Sequence, residues 1–105
     1  MRFDKFTLKV QEAIQEAQTL AGSLGHQEIE PEHLLVSFLR QEEGIVGAVL
    51  EKLGAKPNQI ERALVSFLER QPRIEGSSTS QIYMSARLNK IFDKALTEAA
   101  RLKDE

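Results

Sequence analysis

The sequence has no cysteine and no tryptophan, one tyrosine and three prolines. Without cysteine there can be no disulfide, no thiolate nucleophile and no Cys-ligated zinc, and the composition suits a reducing compartment such as the cytoplasm. With five phenylalanines as its main aromatics, the core has to be mostly aliphatic. Long apolar runs are also missing. The opening MRFDKFTLKVQEAIQ is amphipathic and reads as neither a secretory leader nor a membrane span. There is no excess of charge of one sign either. Fourteen Lys+Arg stand against sixteen Asp+Glu, a formal net charge of -2, so nucleic acid and anionic lipid find no basic field. What is present is an ordinary globular composition over 105 residues, 41% apolar and 29% charged, enough for one small domain.

The dominant period is helical. From Phe6, apolar residues recur at Val10, Ala13, Ile14, Ala17, Leu20, Ala21 and Leu24, one stripe of a long helix. Asp4 or Thr7 can cap its start, and Gly25 supplies a left-handed stop. Pro31 suits the first position of a second helix, whose predicted buried face is Leu34, Leu35, Phe38 and Leu39, with Ile29 placed to staple onto Leu34 or Leu35. After a turn at 41–44, Ile45, Val46, Val49, Leu50 and Leu53 make a third helix closed by Gly54. Pro57 opens a fourth, with Ile60, Ala63, Leu64, Phe67 and Leu68 at helical spacing. Between Arg70 and Ser85 the period vanishes, and this Gly-, Pro-, Ser- and Thr-containing stretch reads as an extended linker. Ser85 caps a fifth helix carrying Leu88, Ile91, Phe92, Ala95, Leu96, Ala99 and Leu102. No stretch shows strand alternation, so the expected fold class is all-α, with about five helices.

Shifting the chain by 82 positions lays Phe6, Val10, Ala13, Ile14, Glu16, Ala17 and Leu20 on Leu88, Phe92, Ala95, Leu96, Glu98, Ala99 and Leu102. Two similar amphipathic helices and the start of an internal repeat both account for this echo.

Catalytic chemistry is hard to find. His26 and His33 are the two side chains whose ordinary pKa lies near neutrality. A metal on His33 would want a second ligand one turn away, where Ile29, Val36 and Ser37 stand. His33 therefore reads as a helix-start residue hydrogen-bonding locally or packing on the first helix, and His26 as a solvated loop residue. The carboxylates sit at helix-surface spacing beside Lys, Arg and Gln, which does not hold two of them across a cleft. Ser77, Ser78 and Ser80 have no local base, and no glycine cluster forms a phosphate loop. No enzyme reading emerges. Apolar surface remains: Leu8 lies off the first helix's main stripe, in line with Asp4, Gln11, Glu12 and Gln15, either as a lone exposed leucine or as part of a peptide-binding patch.

The string QEIEPEHLL at 27–35 resembles the signature of the Clp N-terminal repeat, in which a link and a helix start lead into His-Leu-Leu. The opening MRFDKFT and the tract QPRIEG at 71–76 narrow the resemblance to the N-terminal domains of ClpB-type AAA+ disaggregases. It spans essentially the whole chain. It implies a pseudo-repeat of helices: a first repeat over 1–70, a linker over 71–84, and the first helix of a second, incomplete repeat over 85–105. Leu88, Ile91, Phe92 and Leu96 are together worth roughly 6–12 kcal/mol of burial. The fifth helix is therefore expected to pack on the first repeat, within its own chain or swapped onto a neighbour as a dimer.

The function so implied is a substrate-engaging module of an ATP-dependent disaggregase, binding exposed apolar segments of unfolded or aggregated polypeptide. Its other partner would be the rest of a hexameric AAA+ ring. Nucleic acid and membrane are not expected partners. No cofactor is expected in this segment, ATP and Mg belonging to the parent. By resemblance Thr7 and Asp104 match polar positions near the family's substrate groove, and Leu8 and Leu96 are candidates for its apolar lining. Two other readings stay open: an adaptor-docking domain of a Clp protease unfoldase, and a mobile structural cap.

Overall fold

The computed structural model describes residues 8–42, 44–74 and 82–103. Five helices run in the order α1 (Leu8–Ser23), α2 (Pro31–Arg40), α3 (Ile45–Lys52), α4 (Pro57–Glu69) and α5 (Ala86–Lys103). Two very short strands, β1 (Glu28–Ile29) and β2 (Tyr83–Met84), join them. The helical architecture matches the sequence expectation. Asp4 and Thr7, the candidate caps of the first helix, lie outside the described residues.

The helix boundaries follow from residues with special backbone chemistry. Gly25 adopts φ 73, and the turn it makes lets its N–H donate to the Gly22 carbonyl (3.1 Å) and the His26 N–H to the Ala21 carbonyl (2.9 Å). These two bonds close α1 as a Schellman motif and fix the backbone of His26 immediately beyond it. Gly54, at φ 87, ends α3 in the same way. Pro31 and Pro57 stand at the starts of α2 and α4, where a missing N–H costs nothing. Ser85 caps α5, its Oγ accepting from the Leu88 N–H at 3.1 Å.

The core is built on a stripe of small residues. Ala13, Ala17 and Ala21 of α1 are fully buried and cluster with Ile29, Leu34, Leu88 and Phe92. At successive turns of one face, these alanines let neighbouring elements approach the α1 backbone closely. The start of α1 is tied to the end of α2 by the Gln41 side-chain amide donating to the Lys9 carbonyl (2.6 Å) and Lys9 Nζ donating to the Glu42 carbonyl (3.2 Å). The two helices are therefore antiparallel. Arg40 pairs with Glu61 at 2.8 Å, linking the end of α2 to α4.

Three details depart from the sequence reading. The inner face of α2 is His33, Leu34, Val36 and Ser37, while Leu35, Phe38 and Leu39 are only half-buried. The helix is turned toward α4 as well as α1, so it buries a broader and partly polar arc. In α3 no residue is buried, and Ile45 and Val49, with Leu53 just past its end, are exposed. Within the stretch read as linker, Tyr83 and Met84 form a strand parallel to β1, in register Glu28↔Tyr83 and Ile29↔Met84. The Tyr83 N–H donates to the Gln27 carbonyl (3.2 Å) and the Ser85 N–H to the Ile29 carbonyl (3.0 Å), which fixes the start of α5 beside the α1–α2 link.

The fifth helix packs on the rest of the same chain by its first half. Leu88 and Phe92 are buried, whereas Ile91, Ala95, Ala99 and Leu102 are exposed.

Candidate functional site

Of the proposed groove residues, Leu8 and Leu96 are among the described residues. Leu8, first residue of α1, is 69% exposed, as its position off the main stripe implies. Leu96 of α5 is half-buried. Thr7 and Asp104 lie outside the described residues. The apolar arc of α5 is wide, with Ile91, Ala95 and Leu102 along one edge and Phe92 and Leu96 along the other. Only the second edge meets the core.

Other apolar side chains are grouped in water. Ile45 of α3 and Leu53, the residue just past its end, each 76% exposed, are spaced four residues either side of the exposed Val49. A single exposed leucine is commonplace, but three apolar residues at this spacing are a contiguous patch.

A polar cavity of about 240 Å³ opens at the α1–α2 link, lined among others by His26, Glu32, His33, Phe67, Ile74 and Arg87. At its wall the two histidines touch, with His26 Nδ1 and His33 Nε2 separated by 2.8 Å and the rings meeting edge-on. The Glu30 backbone N–H donates to His33 Nδ1, also at 2.8 Å. That bond is the return half of a capping box, with a histidine at the third helical position where Glu or Gln usually stands. It also determines both tautomers. His33 Nδ1 accepts, so its proton is on Nε2 and is donated to His26 Nδ1, and His26 in turn carries its own proton on Nε2.

The expectation of local hydrogen bonding for His33 therefore holds, and His33 is only 1% exposed. The expectation of a solvated loop residue for His26 does not. The Schellman turn swings His26 back over the start of α2, a contact across seven residues of sequence that no helical period announces. The fixed tautomers leave neither ring a free lone pair for a metal, and no group of three potential ligands converges among the described residues.

Burial lowers the pKa of both histidines from the ordinary value of 6.5. The positive charge of Arg73 lowers His26 further, and the neighbouring His26 does the same to His33. The carboxylate of Glu30 opposes both shifts, joined by that of Glu32 at His33. Arg87 reaches in from α5 to Glu30 (3.4 Å) and Glu32 (3.1 Å). His26 Nε2 and Glu32 Oε1 are buried with no hydrogen-bond partner among the described residues. The site holds one imidazole as a donor and one carboxylate oxygen as an acceptor, but no nucleophile beside a base.

Comparison with known proteins gives the family. The sequence profile of the Clp repeat (R) N-terminal domain matches residues 5–105. The chain belongs to the Clp repeat N-terminal domain family. Within it, the chain is 42% identical over 107 residues to the protein named Chaperone protein ClpB of Nitratidesulfovibrio vulgaris, covering 100% of this chain and 12% of that protein. It is 35% identical over 104 residues to the Chaperone protein ClpB of Brucella suis, covering 99% of this chain and 12% of that one. It thus corresponds to the N-terminal domain of ClpB-type chaperones and spans about an eighth of the length of these relatives. The crystal structure of the N-terminal domain of the caseinolytic protease associated chaperone ClpD from Arabidopsis thaliana shares the fold. Its TM-score is 0.65 at 24% identity, over 99% of this chain and 69% of that one. Among the described residues, no helix of this Clp repeat domain is long and apolar enough to cross a membrane.

Proposed function

We propose that this Clp repeat domain is the substrate-engaging module of an ATP-dependent, ClpB-type disaggregase, holding exposed apolar segments of unfolded or aggregated polypeptide. The carrying observation is the apolar edge of α5, where Ile91 and Leu102 remain in water although Leu88 and Phe92 of the same helix are buried. Leu8, exposed at the start of α1, adds to it. The matching relatives are named as chaperones, which favours this use of an apolar surface over a chemical one.

In this reading Leu8 and Leu96 line the contact, with Thr7 and Asp104 at its polar margin. The linker over 71–84 separates a first repeat from the opening helix of a second. ATP, Mg and the hexameric ring belong to a longer parent that receives the captured chain. The affinity follows from the geometry. A shallow surface that buries a few side chains must offset the ordering of a flexible ligand, so binding falls in the micromolar range or weaker. Weak capture suits transfer to a motor.

The test is fluorescence anisotropy with a labelled, permanently unfolded protein such as reduced, carboxymethylated lactalbumin. Saturable binding is expected, weakened about fivefold or more by Ile91→Asp with Leu102→Asp while helical content is kept. Absence of binding, or binding indifferent to these changes, overturns the proposal. A preference for a folded adaptor over the unfolded protein would favour the docking-domain reading instead.

A further inference from the structure

The two histidines form a chain of hydrogen bonds with no spare acceptor. His33 Nδ1 takes the Glu30 N–H, and His26 Nδ1 takes the His33 Nε2–H, each at 2.8 Å. A proton added to His33 must displace the first bond, and one added to His26 must displace the second. Neutral, the pair is a clamp. Charged, it is broken at one link or the other.

What the clamp holds is the chain just after α4 and the strand β2 just before α5. The carbonyls on either side of His26 are its anchor points: Gly25 accepts from the Ile74 N–H at 2.9 Å, and Gln27 accepts from the Tyr83 N–H at 3.2 Å. One residue further back, the Arg73 guanidinium donates to the carbonyls of Leu24 (2.9 Å) and Ser23 (3.2 Å). Displacement of His26 therefore moves the backbone on which residues 73, 74 and 83 are docked.

The charges facing the pair bias the outcome. Arg73 repels a proton on His26, and Glu30 and Glu32 attract one. Arg87 from α5 already engages both carboxylates, and β1 adds Glu28 to the cavity wall. Helix α4 and the chain just after it contribute the uncharged Phe67, Leu68 and Gln71. By contrast, Ala13, Ala17, Ala21, Val36 and Leu68, which are buried on α1, α2 and α4 alongside His33, do not titrate.

We propose that the His26–His33 pair is an acid-sensitive latch, whose protonation releases residues 71–74 and β2 from the α1–α2 link while α1, α2 and α4 stay packed. Release loosens the seat of α5 and uncovers Ile29, Leu88 and Phe92. If the domain captures apolar segments as proposed above, acid then enlarges the capturing surface. The latch itself stands without that reading.

The test is amide hydrogen exchange on the 105-residue chain at pH 7.5 and pH 5.0, corrected for the intrinsic pH dependence of exchange. The amides of Ile74, Tyr83 and Ser85 should lose protection at least tenfold at the lower pH, while those of Ala17 and Val36 keep theirs. Unchanged protection of the three amides overturns the latch, and so does a parallel loss in all helices, which is ordinary acid unfolding. With His26→Gln and His33→Gln together, which leave no imidazole to take up a proton and keep a usual capping-box residue at the third helical position, protection of Ile74 and Tyr83 should no longer depend on pH; a tenfold loss persisting in that variant overturns the proposal. Should the variant not fold, imidazole nitrogen shifts of the unmodified chain decide. Both rings should protonate over the interval in which protection is lost, and rings still neutral at pH 5.0 after that loss overturn it.

Discussion

A β-carbon placed on Gly25 would lie 3.3 Å from the Cβ of Arg73. The residue that ends α1 and the residue that enters the α4–α5 segment are thus in contact through a space only glycine leaves open. The same glycine takes the left-handed conformation that the Schellman turn requires. Sequence reading assigns Gly25 the left-handed stop. The close approach depends on a residue distant in sequence.

Gly25→Ala should therefore cost more than Gly54→Ala. Both positions have positive φ, but a β-carbon at Gly54 meets nothing within 4 Å. The left-handed conformation alone costs an alanine about 1–2 kcal/mol relative to glycine. Urea denaturation should show roughly that loss at Gly54 and a larger one at Gly25, where Arg73 must also shift. Equal losses would mean that the 73–74 segment is not seated against the turn.

Ser85→Ala removes the acceptor for the Leu88 N–H at a position only 3% exposed. The expected cost is about 1 kcal/mol, and Ser85→Thr, which keeps the hydroxyl, should recover most of it. Because Ser85 also follows β2, circular dichroism of both variants should show the helical content intact. A large helical loss would place the effect in the strand pairing rather than in the cap.

Stability should fall as pH drops below about 6.5. Both histidines have folded-state pKa values lowered from 6.5, chiefly by burial. In the unfolded chain they bind protons at higher pH than in the folded one, so acid favours unfolding. Their contribution is complete above 6.5 and is lost progressively from there down through the lowered folded-state values. Each histidine limits the slope to about 1.4 kcal/mol per pH unit. Urea titrations at pH 7.5, 6.5 and 5.5 measure it; a flat profile across that interval would show that the rings are not held neutral.

Much of the helical layout is legible from single residues. Gly25, Pro31, Gly54, Pro57 and Ser85 each mark a boundary through a backbone property they carry themselves. The β1–β2 pair is not legible, because two residues are too short for any alternation and their partners lie on either side of α2, α3 and α4. The His26–His33 contact is hidden for a related reason: it is set by a turn's geometry, not by helical spacing. The exposed position of Leu8 could be read from its phase on α1. That of Ile45, Val49 and Leu53 could not, since helical spacing gives a stripe without saying whether anything covers it.

The echo between α1 and α5 shows the same limit and allows a sharp test. Ala17 and Ala99 occupy equivalent places in the two similar stripes, yet Ala17 is fully buried and Ala99 is exposed. On α1 the alanine stripe lies in a cluster with Ile29 and Leu34, whereas at Ala99 the helix has left the core. Ala17→Leu forces three extra carbons into a closed space and should destabilise the domain by about 1–3 kcal/mol. Ala99→Leu adds the same atoms to an open surface and should change stability by about 0.5 kcal/mol or less. Denaturant midpoints of the two variants measure the contrast. If Ala99→Leu proved as costly as Ala17→Leu, the outer half of α5 would have to be covered in solution, by a second copy or by some other part of the same molecule.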